Sequence, residues 1–320
     1  MIIAEPLVSI VTPSFNKGPY IEETIQSIQN QSYTNIEHIV IDGGSTDGTL
    51  EILKKYEGRI SWISEPDHGQ SDAINKGWKR AKGEIIAYLN ADDTYTPDAV
   101  MTAVSYLNEH SDVDLVYGDG ILTDENGKFI RTYRAGEFSM RDLIYCRDNI
   151  LQPALFFRKA VYDLIGGIDE SLNLAMDLDY WIRAGLLFRI AYIPRPLAVA
   201  KIYRDAKSVA LMHRYVSDYE HILEKVFMDP CLPSDLAREK NAVYNYIYTK
   251  GGLDSIHLGM VRDGSGYLWK AFRMNPFRCL GNVILLLGQF GCRIVRSHAL
   301  KNCKPIKISK KNNQCENEPS

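Results

Sequence analysis

The chain of 320 residues reads as an α/β protein, a mostly parallel sheet flanked by helices with a helical C-terminal extension. Three observations predict this class. Short apolar runs alternate with helix-like stretches over residues 8–133, the pattern of βαβ units. The runs are nearly continuous in apolar residues, as in Ile39-Val40-Ile41, and central parallel strands are buried on both faces. Several runs end in acids or glycines, and the C-terminal edge of an open α/β sheet is where ligands bind.

Strands are expected at residues 8–12, 36–41, 60–64, 84–89 and 114–117. Between them, residues 20–31, 49–56, 70–82 and 97–109 read as helices. Ile21, Ile25 and Ile28 recur at helical spacing, and so do Ala73, Ile74, Gly77 and Trp78. Residues 94–97 read as the lead-in to the fourth helix. The Asn126-Gly127 pair between two short runs predicts a hairpin at the sheet edge. Residues 139–205 mix helices with a strand at 188–193 and complete the same domain. The expected division is a catalytic domain at 1–205, a mainly helical region at 206–309 and a disordered polar tail at 310–320. The apolar run 283–287, bounded by Gly288 and Gly291, is too short to span a bilayer, which needs about 20 apolar residues.

A hydrophobic content of 45% and a charged content of 24% are those of an ordinary globular protein. A net charge of −3 gives no reason to expect nucleic acid as a partner. That total hides an asymmetry. Residues 262–320 hold eleven Lys and Arg against three acids, so residues 1–261 sum to −11. The six cysteines show neither metal spacing nor close pairing, which fits a reducing cytoplasm. The N-terminus has no signal-peptide pattern.

The most informative stretch is Leu89-Asn90-Ala91-Asp92-Asp93, after the apolar run Ile85-Ile86-Ala87-Tyr88. Adjacent carboxylates at a strand tip repel unless a positive group offsets them. Oxygen-only ligation suits Mg²⁺ or Mn²⁺. The plain alternative is a solvated turn capping the next helix. The first strand ends in Thr12-Pro13-Ser14-Phe15-Asn16, and the second in Asp42-Gly43-Gly44-Ser45-Thr46-Asp47-Gly48, on the same edge. Glycine permits close backbone approach, Ser45, Thr46 and Asp47 can cap a helix, and a helix N-terminus there favours phosphate. Neither a Walker loop nor a dinucleotide fingerprint is present, which argues against a dehydrogenase.

Taken in order and spacing, these three blocks resemble family 2 glycosyltransferases with the GT-A fold, over roughly residues 6–205. The resemblance implies a Rossmann-like GT-A sheet and assigns roles. Pro13, Ser14, Phe15 and Asn16, with Asp42 and Gly43, would hold the base and ribose of a nucleotide sugar, Asp42 accepting from a uracil-type ring nitrogen. Asn90-Ala91-Asp92-Asp93 would be a variant Asp-x-Asp motif. It binds ribose and, through a divalent metal ion (Mn²⁺ or Mg²⁺), the diphosphate. Asn90 stands where the first Asp is usual, leaving Asp92 and Asp93 as metal ligands, with the direct one open between them. Residues 65–77, with Asp72 and Asn75, resemble a donor-site segment of bacterial members that build surface polysaccharides, where a basic residue often replaces His68. Asp177 matches the family's catalytic base, with Met176 in place of the usual Glu, and is preferred to Asp179. Gln152, Asp179 and Trp181 would lie on the acceptor side.

The activity so implied is inverting, metal-dependent transfer of a sugar from a nucleotide sugar, a UDP-sugar by resemblance. The acceptor would be a hydroxyl of a saccharide or lipid-linked saccharide. Competing readings are a non-catalytic nucleotide-sugar-binding protein and a sugar-nucleotide pyrophosphorylase. The latter lacks its Gly-rich basic loop here, because Pro13–Asn16 stands after the first strand. The basic, partly apolar C-terminal region, with Phe277, Leu280 and 283–287, suggests peripheral contact with anionic membrane on the cytoplasmic face.

Overall fold

A computed structural model describes residues 5–147, 150–172, 174–203 and 215–301. The strands are β1 (Val8–Ser14), β2 (Ile36–Asp42), β3 (Ser61–Ser64), β4 (Ile85–Tyr88), β5 (Thr94–Tyr95), β6 (Leu115–Thr123), β7 (Phe129–Tyr133), β8 (Leu155–Arg158) and β9 (Ile190–Lys201). The helices of the sheet-bearing part are α1 (Ile21–Gln29), α2 (Thr49–Lys55), α3 (Gln70–Arg80), α4 (Ala99–Glu109), α5 (Met140–Ile144), α6 (Lys159–Ile165) and α7 (Met176–Leu187). The C-terminal helices are α8 (Tyr215–Val226), α9 (Ser234–Ala237), α10 (Lys240–His257), α11 (Val261–Met274) and α12 (Pro276–Lys301). The tail expected to be disordered, 310–320, lies outside the described residues.

The sheet runs β3-β2-β1-β4-β8-β6-β9-β5, with β7 attached to β6. The first four strands are parallel: β2 and β4 flank β1, and β3 pairs with β2. The chain therefore winds outward from β1 to β3, then returns across β1 to start β4. This reversal of direction opens a crevice at the C-terminal ends of β1 and β4.

The second half of the sheet mixes directions, and here the structure differs from expectation in two places. Residues 94–97 do not lead directly into a helix. Thr94 and Tyr95 form the short strand β5, antiparallel to β9 at Val199 and Ala198, and the helix starts at Ala99. The strand expected at 188–193 extends to Lys201. It passes through Pro194 and Pro196 because the register against β6 shifts near Gly118 and Asp119, where a proline need not donate to the ladder. The Asn-Gly turn does form the hairpin, β6 to β7.

Helix α3 lies close on β1. A Cβ at Gly77 would stand 2.3 Å from Val11 Cγ1, so only glycine allows this approach. Beside that contact the fully buried Trp78 meets Phe157 and Tyr180 at ring-centroid distances of 5.3 and 5.0 Å. This core anchors α3, β8 and α7 to one another, and thereby the segments that carry Gln70 and Asp177. Among the described residues no helix is long and apolar enough to cross a membrane.

Candidate active site

The crevice is a cavity of about 690 Å³. Its walls come from the β1 tip (Pro13, Ser14, Phe15, Lys17), the β4 tip (Asn90, Ala91, Asp92, Asp93) and the start of α7 (Met176, Asp177). Gln152, and Arg131 and Tyr133 from the hairpin arm, also face it.

Asp92 and Asp93 are neighbours in sequence with opposite environments. Asp93 turns inward. Its carboxylate accepts from the Lys201 backbone N–H at 3.2 Å and from Asn90 Nδ2 at 3.2 Å. Burial, then the charge of Asp92, push its pKa up to about 7. Asp92 faces the cavity. Its Oδ2 accepts from Lys17 Nζ at 2.6 Å and from the Tyr203 hydroxyl. Burial opposes the Lys17 charge, but the Asp92 carboxylate and the Tyr203 hydroxyl outweigh it, and the Lys17 pKa is raised. Tyr203 stacks on Tyr20 at 5.4 Å, and the ammonium lies 5.3 Å from the Tyr203 ring.

An amide relay fixes the floor. Gln70 Nε2 donates to Asn90 Oδ1 (2.7 Å), Asn90 Nδ2 to Gln152 Oε1 (3.0 Å), and Gln152 Nε2 to the Tyr88 carbonyl (2.8 Å). On the far wall Asp177 sits in the first turn of α7, where the helix dipole favours a carboxylate. The turn is held by Asp218 of α8, whose Oδ2 accepts from the backbone N–H groups of Leu174 (2.8 Å) and Ala175 (3.2 Å).

Several residues singled out in the sequence lie beside the lining of this cavity and hold its scaffold. Asp42 is fully buried. It accepts from Gly44 N (3.1 Å), Ser45 N (2.8 Å), Ser64 Oγ (2.7 Å) and Ser45 Oγ (2.5 Å), so its oxygens already organise the turn after β2. Asn16, at φ 51°, joins the β1 and β2 tips through Ser45 Oγ (2.7 Å) and Thr46 N (2.9 Å). Gly43 is needed for a different reason: a Cβ there would lie 2.7 Å from Asp67 Oδ2, and Asp67 does line the cavity. Asp72 accepts from His68 N at 3.0 Å and pairs with Lys76 at 3.1 Å. Asn75 clamps the loop before α7 through Ile168 N and O (2.8 and 2.9 Å). Asp179 is 3% exposed and pairs with Arg183 at 2.8 Å, while Trp181 is in the core at 2%. Sequence reasoning did not pick Lys17, Asp67, Gln70, Arg131 or Tyr203. Asp67 and Gln70 fell within the quoted 65–77 block; the others carry no local signal.

Among the described residues no cluster of three His, Cys, Asp or Glu could hold a metal by itself. A hard divalent ion completed by water and phosphate oxygens needs only one or two carboxylates. Asp92 meets that requirement: its Oδ1 has no partner among the described residues, whereas both oxygens of Asp93 accept hydrogen bonds. The donor set fits a divalent cation shared with a ligand, centred on Asp92.

The model of glycosyl transferase family 2 matches residues 9–163, which holds the β1 and β4 tips. An uncharacterized glycosyltransferase of Mycobacterium tuberculosis is 35% identical over 185 residues, covering 57% of this chain and 70% of that protein. A PGL/p-HBAD biosynthesis glycosyltransferase of M. tuberculosis is 32% identical over 186 residues, with the same coverage. The chain belongs to glycosyltransferase family 2. Its fold is that of the GT-A glycosyltransferases. TarS of S. aureus, crystallised with UDP-GlcNAc, superposes with a TM-score of 0.66 at 20% identity, over 87% of this chain and 84% of that one. A mannosyltransferase of Pyrobaculum calidifontis, in complex with GDP-Man and Mn²⁺, superposes at 0.59 with 19% identity, over 90% and 81%.

Proposed function

We propose that the chain transfers a sugar from a UDP-type nucleotide sugar to a hydroxyl of a saccharide or lipid-linked saccharide, with inversion at the anomeric carbon, in the building of a cell-envelope glycan. The observation that carries this reading is one cavity with Asp92 on one wall and Asp177 on the other, each from a different half of the fold. The family membership supports sugar transfer. The UDP-GlcNAc crystallised with TarS supports the donor class, and the PGL/p-HBAD biosynthesis named for the mycobacterial relative supports a biosynthetic role.

The β1 tip, with Phe15 and Asp67, receives the base and ribose. The relay Gln70–Asn90–Gln152 fixes the β4 tip so that Asp92 points at the diphosphate. A divalent ion held by Asp92 would neutralise charge on the departing diphosphate. Asp177 is the base: it takes the acceptor hydroxyl proton as that oxygen bonds to the anomeric carbon. The bond from that carbon to the diphosphate oxygen breaks on the opposite face, and the nucleoside diphosphate leaves with the electron pair. General-base assistance of this kind contributes about 10²–10⁴-fold.

The test is Asp177→Asn. Calorimetry with UDP, with and without Mn²⁺, should give wild-type affinity, while transfer from UDP-sugars falls by at least about 10²-fold. Full turnover in the variant would remove Asp177 from the mechanism. Absence of nucleotide binding by wild type under both conditions would overturn the donor assignment.

A further inference from the structure

A second cleft, of about 410 Å³, shares no residue with the donor cavity. Arg141 and Arg147 from the α5 region, Arg238, and Arg278 from α12 face into it, with Glu239 as the acid in its wall. Glu239 pairs with Arg141 and accepts from the Tyr145 hydroxyl at 2.8 Å. Arg147 lies over the rings of Tyr145 and Tyr246, at 4.7 and 4.8 Å from their centroids, and 3.5 Å from Asp142. The guanidiniums of Arg238 and Arg278 pair with no acid among the described residues. Converging guanidiniums in excess over carboxylates are a site for a phosphate group, which accepts paired N–H bonds.

The same helix that supplies Arg278 carries an uncovered apolar face. Cys279 and Leu286 of α12 are buried on its inner side, at 6% and 4% exposure. Phe277, Leu280, Ile284 and Leu287, at successive steps of three, four and three, are 89%, 61%, 65% and 55% exposed. Gly281 and Gly288, on that outer side, have nothing within 4 Å of an added Cβ. On α11, Trp269 and Phe272 are also exposed and stack at 5.9 Å. A monomer seldom presents so many large apolar side chains together unless something covers them.

We infer that this end of the molecule docks on an anionic phospholipid surface, with a lipid headgroup phosphate in the arginine cleft and the outer face of α12 in the acyl boundary. Charge decides the occupant. Residues 262–320 carry eleven Lys and Arg against three acids, and the other 261 residues sum to −11. The basic end is thus drawn to the negative membrane surface while the rest of the chain is held off it. A second copy related by two-fold symmetry would set one C-terminal segment of eleven basic and three acidic residues against another. Amphipathic helices with basic flanks lie in the interface in this way. The docking rests on the helices and the cleft, and its readout is independent of donor chemistry.

The test is co-sedimentation of the full chain with vesicles of phosphatidylcholine alone and of phosphatidylcholine mixed with phosphatidylglycerol. Wild type should pellet with the mixed vesicles and stay in solution with the neutral ones. Arg238→Gln together with Arg278→Gln should weaken pelleting roughly 30-fold, from the about fivefold that each basic residue near an anionic surface supplies. Phe277→Ser with Ile284→Ser should also abolish it, with circular dichroism unchanged because all four side chains are exposed. Inorganic phosphate at constant ionic strength should compete only weakly, because the apolar face also holds the chain on the membrane. Calorimetric binding of inorganic phosphate by a wild type that does not pellet with the mixed vesicles would make the cleft a site for a soluble anion and overturn the lipid assignment. Equal pelleting with both vesicle types, or an arginine variant that pellets like wild type, would overturn it as well. So would a wild-type dimer in sedimentation velocity that Phe277→Ser with Ile284→Ser converts to monomer.

Discussion

Lys17→Met separates the charge that the protein itself places on Asp92 from the charge that a ligand brings. The ammonium stands 2.6 Å from Asp92 Oδ2, with the two side chains 28% and 16% exposed. Breaking a fully buried ion pair costs about 3–5 kcal/mol, and an exposed pair contributes about 0–1 kcal/mol. This pair lies between those limits, so the variant should lose about 2 kcal/mol. In a chain of this size each kcal/mol moves the melting temperature by about 2–4 °C, which places the loss at about 4–8 °C. Without Lys17, Asp92 keeps the Tyr203 hydroxyl as its one side-chain donor among the described residues, and the positive charge that holds the Asp93 pKa down is gone as well. The acid pair then depends more on an added cation. Differential scanning fluorimetry with UDP, with and without Mn²⁺, should show a larger Mn²⁺-dependent rise in melting temperature for Lys17→Met than for wild type. Lys17→Arg, which keeps the charge, should restore the wild-type response. A variant that melts like wild type and gains less from Mn²⁺ would refute the reasoning. It would make Lys17 a ligand of the nucleotide and not the counter-charge of Asp92.

Three further substitutions test the scaffold beneath the site. His38 is buried against Thr12 Oγ1 at 2.9 Å, and burial depresses its pKa to about 3. Since the unfolded chain takes up the proton first, its contribution is complete above pH ~6.5 and falls as pH drops toward 3. Urea titration should show about 2 kcal/mol lost between pH 6.5 and 5, and a flatter profile for His38→Gln; an unchanged slope in the variant would clear His38. Asp42→Ala leaves four donors around a buried turn without their acceptor. It should cost on the order of 3 kcal/mol or more, so any loss of nucleotide binding comes with loss of stability, and a binding defect at wild-type stability would return Asp42 to the ligand. Gly77→Ala should destabilise despite the roughly 1 kcal/mol that alanine gains in a helix, because the new methyl meets Val11 at 2.3 Å. Overpacking costs about 1–3 kcal/mol, and adding Val11→Ala should recover part of it in chemical denaturation, whereas strictly additive losses would refute the contact.

The parallel half of the fold was legible because period and composition agree there. β1, β2 and β4 are apolar runs buried along most of their length, and α1 and α3 keep their helical stripes. The second half was less so for physical reasons. β5 has two residues and β8 four, too few for a period to register. β9 runs through two prolines that only its irregular pairing with β6 accommodates. In the site, the β4 tip announced itself because two adjacent acids end an apolar strand. The direction in which an acid points has no such local signal. Asp42, Asp72 and Asp179 look as well suited to a ligand as Asp92 does. What the sequence cannot display is that the fold gives each of them a partner, Ser64, His68 and Arg183. Lys17, Arg131 and Tyr203 enter the site only through tertiary contacts, from a loop, a hairpin arm and the end of β9.

Those contacts explain why the site is assembled from both halves of the sheet. The β4 tip carries two adjacent acids, and one of them must be neutralised locally if the strand is to end inside the protein. Asp93 takes that part, hydrogen-bonded to Asn90 and to the backbone that continues β9, with its pKa raised to about 7 by burial and by Asp92. Asp92 stands at the cavity wall, held by Lys17 from the β1 side and Tyr203 from the β9 side. The proton affinity of Asp93 is therefore tied to what Asp92 holds. Positive charge brought to Asp92 weakens the repulsion that raises Asp93, and deprotonation of Asp93 in turn strengthens the attraction for that charge. Binding of a cation and an anionic diphosphate at Asp92 should release protons near neutral pH, measurable as a dependence of the calorimetric heat on the buffer's ionisation enthalpy. Asp93→Asn should abolish that dependence while leaving Asp92 in place. A buffer-dependent heat that survives the substitution would assign the proton elsewhere and separate the two acids that the sequence sets side by side.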